Sequence, residues 1–146
     1  MDAIELLLHQ HRRIERLFAE AKQGADLGDL FDALALHAML EEQQFYPATR
    51  AARSGDSLRT AVEEHLAIKQ MIADLLGCEP SDPRFEARLN LLEDEVRQHV
   101  AQEEAELFPA AGALLSPDER DELGAAMQEL VDGAPRREPP ALHAVD

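Results

Sequence analysis

Apolar residues recur at three- and four-residue steps in four long stretches of the chain, the period of one helix face. The first predicted helix runs from about Ala3 to Lys22, with Ile4, Leu7, Leu8, His11, Ile14, Glu15 and Phe18 on one stripe. Gly24 and Gly28 end it and open a short loop. The second runs from about Leu30 to Phe45, with Leu30, Leu34, His37, Glu41 and Phe45 on one face, and Pro47 ends or kinks it. Ser54-Gly55-Asp56-Ser57 is a turn cluster in which Asp56 or Ser57 can cap the third helix. That helix runs to about Leu76 and carries Val62, His65, Leu66, Ile68, Lys69 and Ile72. After a loop with two prolines, the fourth runs from about Arg84 to Leu107, with Leu89, Leu92, Val96, His99, Glu103 and Leu107. Ser116-Pro117-Asp118-Glu119 signals a last short helix with a capping box, ending near Val131. From Gly133 onward Pro-Arg-Arg-Glu-Pro-Pro predicts a disordered tail. The expectation is an all-α fold: an antiparallel up-down-up-down four-helix bundle over residues 1–132, with a short C-terminal extra helix, and a tail over 133–146.

The chain also repeats itself. His37-x3-Glu41-Glu42 leads to Tyr46-Pro47-Ala48, and His99-x3-Glu103-Glu104 leads to Phe108-Pro109-Ala110. The preceding helices match more weakly, around His11 and His65. Two helix pairs, each with one His and then one His-x3-Glu, imply an approximate two-fold axis that brings both sets of polar residues to one central point.

Composition narrows the setting. With 146 residues the chain suits one domain, and 45 % hydrophobic residues supply a core. Aromatics are only 4 % and Trp is absent, so the core is aliphatic, which favours helix packing over a sheet. A formal net charge of −16 repels phosphate backbones and anionic lipid, which argues against nucleic-acid and membrane partners. Cys78 is the single cysteine, so no disulfide framework forms within the chain, and a structural role at a helix end is expected for it. The beginning Met-Asp-Ala-Ile-Glu has no basic or apolar leader, and no stretch is long and uncharged enough to span a bilayer; the expected location is cytoplasmic.

The candidate chemistry lies in which face carries the polar residues. His11, His37, Glu41, His65, His99 and Glu103 all fall inside apolar stripes. Residues four apart on a helix are neighbours, about 5–6 Å apart at Cβ, so His37 with Glu41 and His99 with Glu103 can each aim at one site. A buried carboxylate without a partner is costly, and a pair of cations removes that cost. Four imidazoles and two carboxylates, with no thiolate, suit Fe, Mn, Zn or Cu. Two carboxylates shared by two metals make Glu41 and Glu103 the expected bridges, which leaves a position open for a further ligand and fits iron better than a closed, four-coordinate zinc site. His9 lies on another face and is expected to be exposed; His143 falls in the tail. Glu42, Glu63, Glu64 and Glu104 are expected to be solvated or to stand behind the ligands. Tyr46 and Phe108 are expected to pack the bundle, with the Tyr46 hydroxyl able to reach the site.

In the order His, His-x3-Glu, His, His-x3-Glu, in Leu-x-x-x-His-x6-Phe at the first helix and in Glu-Glu-x3-Tyr-Pro after the second histidine, residues 3–110 resemble the hemerythrin-like, or HHE cation-binding, domain family. The resemblance implies a non-haem, carboxylate-bridged pair of Fe ions, one on His11 and His37, the other on His65 and His99. Oxygen-carrying members have a further histidine one turn before the third-helix histidine, where this chain has Ala61, and a longer His-to-Asp spacing, where this chain has His99-x3-Glu103. The missing histidine argues against reversible O2 carriage. Two readings follow: reaction with O2-derived species, with peroxide breakdown preferred over transport and a peroxidase- or catalase-like activity in view; or an O2-, NO- or iron-sensing or iron-binding module without catalysis. In either case the partner is a small diatomic or peroxide ligand.

Overall fold

A computed structural model describes residues 1–134, and the expected tail from 135 on lies outside the described residues. The main helices are α1 (Ala3–Lys22), α2 (Gly28–Leu40), the single turn α3 (Tyr46–Ala48), α4 (Gly55–Leu76), α5 (Arg84–Gln102), α6 (Phe108–Leu114) and α7 (Pro117–Gly133). Among the described residues there is no strand, and the helices pack as a bundle in which α1 lies on α2 and α7 and α4 lies on α5. No described helix is long and apolar enough to cross a membrane.

Local signals set the helix starts. Asp2 and Glu5 form a capping box on α1, and Ser116 and Glu119 form the expected one on α7. The cap of α4 is Ser54, whose hydroxyl accepts from the Ser57 N–H, rather than Asp56 or Ser57 itself. Helix α7 closes one end of the bundle on the beginning of α1. Gly124 makes that closure possible, because a Cβ there would lie 2.5 Å from the Met1 carbonyl oxygen.

Two stretches depart from a continuous α-helix. Glu41–Phe45 and Glu103–Leu107 each form a wider π turn, in which the Tyr46 N–H bonds the Glu41 carbonyl and the Phe108 N–H bonds the Glu103 carbonyl. Each turn runs into a proline, Pro47 or Pro109, which has no N–H and whose ring clashes with the carbonyl four residues back. The π turn opens the spiral at that point. It appears in both halves because the repeat places the same aromatic-proline pair after each Glu-Glu.

The apolar side chains gather into two clusters. One holds Leu6, Leu7, Leu40, Phe45, Phe108 and Met127, among others. The other holds Ile14, Phe18, Leu34, Ile68, Leu92 and Val96, among others. Along α1 the chain passes from the first cluster (Leu7) to the second (Ile14) with His11 between them; along α2 it returns from Leu34 to Leu40 with His37 between. Along α4 it passes from Ala61 to Ile68 with His65 between, and along α5 and the π turn after it the chain returns from Val96 to Leu107 with His99 and Glu103 between. The polar site therefore sits between two apolar cores. Val62 and Leu66 lie off this stripe and are 39 % and 59 % exposed; Cys78 is buried at the end of α4.

Candidate metal centre

All six expected site residues are brought together. His11, His37, Glu41, His65, His99 and Glu103 are each at most 5 % exposed. His11, His37, Glu41 and Glu103 can offer ligand atoms within 4.8 Å of one another, and so can Glu41, His65 and His99. The four imidazoles turn their Nε2 atoms inward: His11 and His37 face each other at 3.2 Å, and His65 and His99 at 3.1 Å.

The two carboxylates lie across these pairs. Glu103 Oε1 is 3.2 Å from His11 Nε2 and Oε2 is 3.3 Å from His99 Nε2. Glu41 Oε1 is 3.1 Å from His65 Nε2 and Oε2 is 3.3 Å from His37 Nε2. Each carboxylate thus divides its oxygens between the two histidine pairs, the disposition of a bridge.

Three of the four outward nitrogens lie within hydrogen-bond distance of an oxygen. His11 Nδ1 is 2.8 Å from Glu104 Oε2, and His37 Nδ1 is 2.8 Å from Gln10 Oε1. His99 Nδ1 is 3.2 Å from Glu64 Oε1, and His65 Nδ1 lies 3.7 Å from Glu42 Oε1. An Nδ1–H pointing at an oxygen leaves the Nε2 lone pair directed inward, the tautomer a metal requires. Glu42, Glu64 and Glu104 therefore stand behind the ligands, while Glu63 and His9 are exposed. Gln10 was not foreseen; its signal is only its position one residue before His11, matching Glu64 before His65.

Tyr46 does more than pack. Its hydroxyl lies 3.0 Å from Glu41 Oε1 and 2.8 Å from Glu103 Oε2, and 3.3 Å from His65 Nε2. The π turn is the cause. At 100° per residue, five residues along an α-helix put Tyr46 well away from the Glu41 face, whereas a π turn stacks residues five apart. Phe108, its counterpart, stacks on the His11 ring with centroids 5.5 Å apart. Ala61 is buried in the first apolar cluster, and the Tyr46 hydroxyl lies 3.3 Å from His65 Nε2 and 3.4 Å from His99 Nε2.

The electrostatics are those of a cluster in want of cations. Burial pushes His37 down, but the neighbouring Glu41 and Glu103 carboxylates outweigh it and raise the imidazole to about 9. Burial opposes the same rise at His99, where hydrogen bonds to Glu103 and Glu41 carry it to about 11. Burial pushes Glu41 up, yet the His37 charge holds it well below the usual carboxylate range. Burial and the two carboxylates raise the Tyr46 hydroxyl, which stays protonated. Fully buried Glu41 Oε2 makes no hydrogen bond, and neither does His65 Nδ1. An orphaned buried oxygen beside two pairs of facing imidazole nitrogens fits a cation site: metal ions would satisfy the oxygen and replace the protons that otherwise hold the cluster together.

Cavities reach the site from different sides. One of about 130 Å³ is lined by Arg53, Ser57, Glu64, His99 and Glu103. Another of about 350 Å³ is lined mainly by apolar side chains, including Ile14, Leu34, Ile68 and Val96, and reaches His37, His65 and His99.

Comparison with known proteins bears on the same region. Residues 2–111 match the Hemerythrin HHE cation binding domain. A DNA nickase from Nostoc sp. is 28 % identical over 129 residues, spanning 84 % of this chain but only 37 % of the nickase. An uncharacterized protein of Mycobacterium tuberculosis is 26 % identical over 147 residues, spanning 92 % of this chain and 90 % of the relative. The crystal structure of a hemerythrin HHE cation binding domain-containing protein from Mycobacterium kansasii aligns with a TM-score of 0.79 at 25 % identity, covering 90 % of this chain and 86 % of that one.

Proposed function

The chain belongs to the hemerythrin HHE cation-binding domain family, and on that premise we propose that it is a non-haem di-iron protein that breaks down hydrogen peroxide rather than carrying O2. His11 and His37 would hold one ion and His65 and His99 the other, in an antiparallel bundle of α1, α2, α4 and α5, with Glu41 and Glu103 shared between them. The observation that carries this reading is the division of each carboxylate's oxygens between the two histidine pairs. Imidazole and carboxylate without thiolate suit iron, which takes five or six ligands and so accepts a further one.

Bound iron would relay two electrons from one peroxide to another: one H2O2 is reduced to two waters, a second is oxidised to O2, and no outside reductant is consumed. The protons released by the second molecule are those needed by the first. The chain's own part is to hold a hydrogen-bond donor beside the ligand space. The Tyr46 O–H donates to Glu103 Oε2 or Glu41 Oε1 and stays protonated. Turned from a carboxylate toward a bound peroxide, the same O–H would donate a hydrogen bond to the O–O unit and favour its cleavage, whereas O2 carriage needs that bond left intact.

The nickase relative does not extend this reading to DNA. This chain spans 37 % of that protein, and a net charge of −16 opposes contact with a phosphate backbone. A cytoplasmic setting is part of the same proposal and rests on the single cysteine.

The test is metal analysis of the iron-loaded chain followed by oxygen-electrode measurement with H2O2. The expected result is two irons per chain, O2 evolution well above that of free iron, and a slower rate in Tyr46→Phe, on the order of 10²-fold for loss of a fixed hydrogen-bond donor. Reversible oxygenation without O2 evolution from peroxide would overturn the proposal.

A further inference from the structure

The internal repeat produces two equivalent seams between the helix pairs, one between α1 and α5 and one between α2 and α4, and the two are walled differently. Across the α1–α5 seam Arg12 meets Glu104 at 2.6 Å and Lys22 meets the buried Glu93, to which Arg97 adds at 3.4 Å. In the other half of the repeat Phe31 and Ala35 stand where Glu93 and Arg97 stand. Across the α2–α4 seam Lys69 approaches Glu42 only to 4.0 Å and is 59 % exposed, a weak closure.

That seam is hollow. The cavity of about 350 Å³ lies along it. Its walls grade from Ile14, Leu34, Ile68 and Val96, all buried, to Ala38, Met39 and Ile72, half-buried, so it opens from the second apolar cluster toward solvent. Polar groups line it in two places: the buried histidines His37, His65 and His99, and the outer Glu42, Gln43 and Lys69. An apolar cavity of about 150 Å³ is enough to take up benzene, so this one is far larger than H2O2 or O2 requires. Its apolar walls offer H2O2 no hydrogen bonds, and a polar molecule among them is penalised. They suit a molecule with an apolar body, whose polar end finds its partners at the histidines. Charge narrows the choice. The net charge of −16, and Glu42 beside Lys69, oppose an anionic head such as a fatty-acid carboxylate, so the occupant is neutral.

Building on the peroxide reading above, we infer that this cavity binds the chain of a neutral alkyl hydroperoxide of about six to eight carbons, with its –OOH end at His37, His65 and His99. The reaction balances with H2O2 as the reductant. The O–O bond of the alkyl hydroperoxide breaks, two electrons and two protons pass to it from H2O2, and the products are the alcohol, one water and O2. The polar cavity of about 130 Å³ beside Arg53, Ser57 and Glu64 reaches His99 and Glu103 from another side and leaves H2O2 a separate approach.

The first measurement is binding alone, on the full chain with Zn(II) in place of iron and with 13C-methyl methionine. Met39 lines the cavity, whereas Met127 is buried in the first apolar cluster and Met1 is exposed. 1-Hexanol, the unreactive product, should shift the Met39 methyl signal saturably and leave those of Met1 and Met127 in place. Affinity should rise about four-fold per methylene from 1-butanol to 1-hexanol. The second measurement is turnover by the iron-loaded chain. With H2O2 present, 1-hexyl hydroperoxide should yield 1-hexanol well above the rate with free iron, at a KM at least about ten-fold below that of ethyl hydroperoxide. Ala38→Phe fills the cavity and Ile72→Gln sets an amide on its wall; both positions are half-buried, and an unchanged Co(II) spectrum shows that the centre still forms. Each should weaken hexanol binding about ten-fold and lower hexyl hydroperoxide turnover relative to that of H2O2. The inference is overturned by a Met39 signal that does not respond, by an affinity that does not grow with chain length, or by variants that bind hexanol as the unmodified chain does. It is equally overturned if the chain binds hexanol and breaks down H2O2 but leaves hexyl hydroperoxide intact. Turnover of neither peroxide overturns the peroxide reading itself, and this substrate with it.

Discussion

Replacing Tyr46 by phenylalanine removes one oxygen from the centre of the molecule and leaves everything else in place. The ring is retained, and the other half of the repeat already carries phenylalanine at this position, Phe108, packed and buried. The hydroxyl has one proton and two carboxylate acceptors, at 3.0 and 2.8 Å, so only one donated hydrogen bond is lost at a time. A hydrogen bond to a charged acceptor is worth about 1.5–3 kcal/mol. For a chain of this size that corresponds to roughly 5–10 °C in melting temperature. The loss should be largest in the chelated protein, where Glu41 and Glu103 carry uncompensated charge apart from the histidine protons. With metal bound, the carboxylate charge is already balanced and the bond falls toward the ordinary value of about 0.5–1.5 kcal/mol. Melting curves of Tyr46→Phe and the unmodified chain, each with and without chelator, measure both numbers. If the variant melts with the unmodified chain in both states, the hydroxyl does not serve the carboxylates and the role given to the π turn is wrong.

Other expectations follow from the same geometry. Chelation should lower the melting temperature of the unmodified chain, because a ligand at 1,000 times its Kd stabilises by about 4 kcal/mol; an unchanged curve with the metal shown to be gone would refute metal-coupled folding. The chelated protein should be most stable at mildly acidic pH. His37 and His99 are raised to about 9 and about 11 from an ordinary 6.5, so their contribution is complete below 6.5 and is lost as pH climbs through those values. Glu41 and Glu103 are lowered, so their contribution is present above the ordinary carboxylate value and is lost in acid. Melting temperatures across pH check both limbs, and a stability that rises above pH 9 in chelator would contradict them. Gly124→Ala should cost about 1–3 kcal/mol by forcing α7 off the beginning of α1, with the Co(II) spectrum unchanged, since the clash is with backbone and lies away from the site.

The sequence by itself determined the helices and the six inward residues. The reason is physical: a helix turns the same face to the core every three or four residues, so His11, His37, Glu41, His65, His99 and Glu103 in apolar stripes had to be buried, and burial without cations or partners is costly. The repeat carried the symmetry in the same way. What lies around those six was not legible. Glu42, Glu64 and Glu104 sit one residue beside an inward residue and read as either solvated or standing behind the ligands, and Gln10 carried no signal of its own; which of these holds depends on the helix that lies opposite, and the contacts they make all cross from one helix to another. Val62 and Leu66 show the converse, apolar side chains that the packing leaves in the open. Tyr46 depended on a change of helical pitch. An α-helical count turns it away from Glu41, and only the π turn before Pro47, in its tertiary setting, turns its hydroxyl back between Glu41 and Glu103. Local periodicity fixes which faces are buried; what a buried face meets is decided by the helices packed against it.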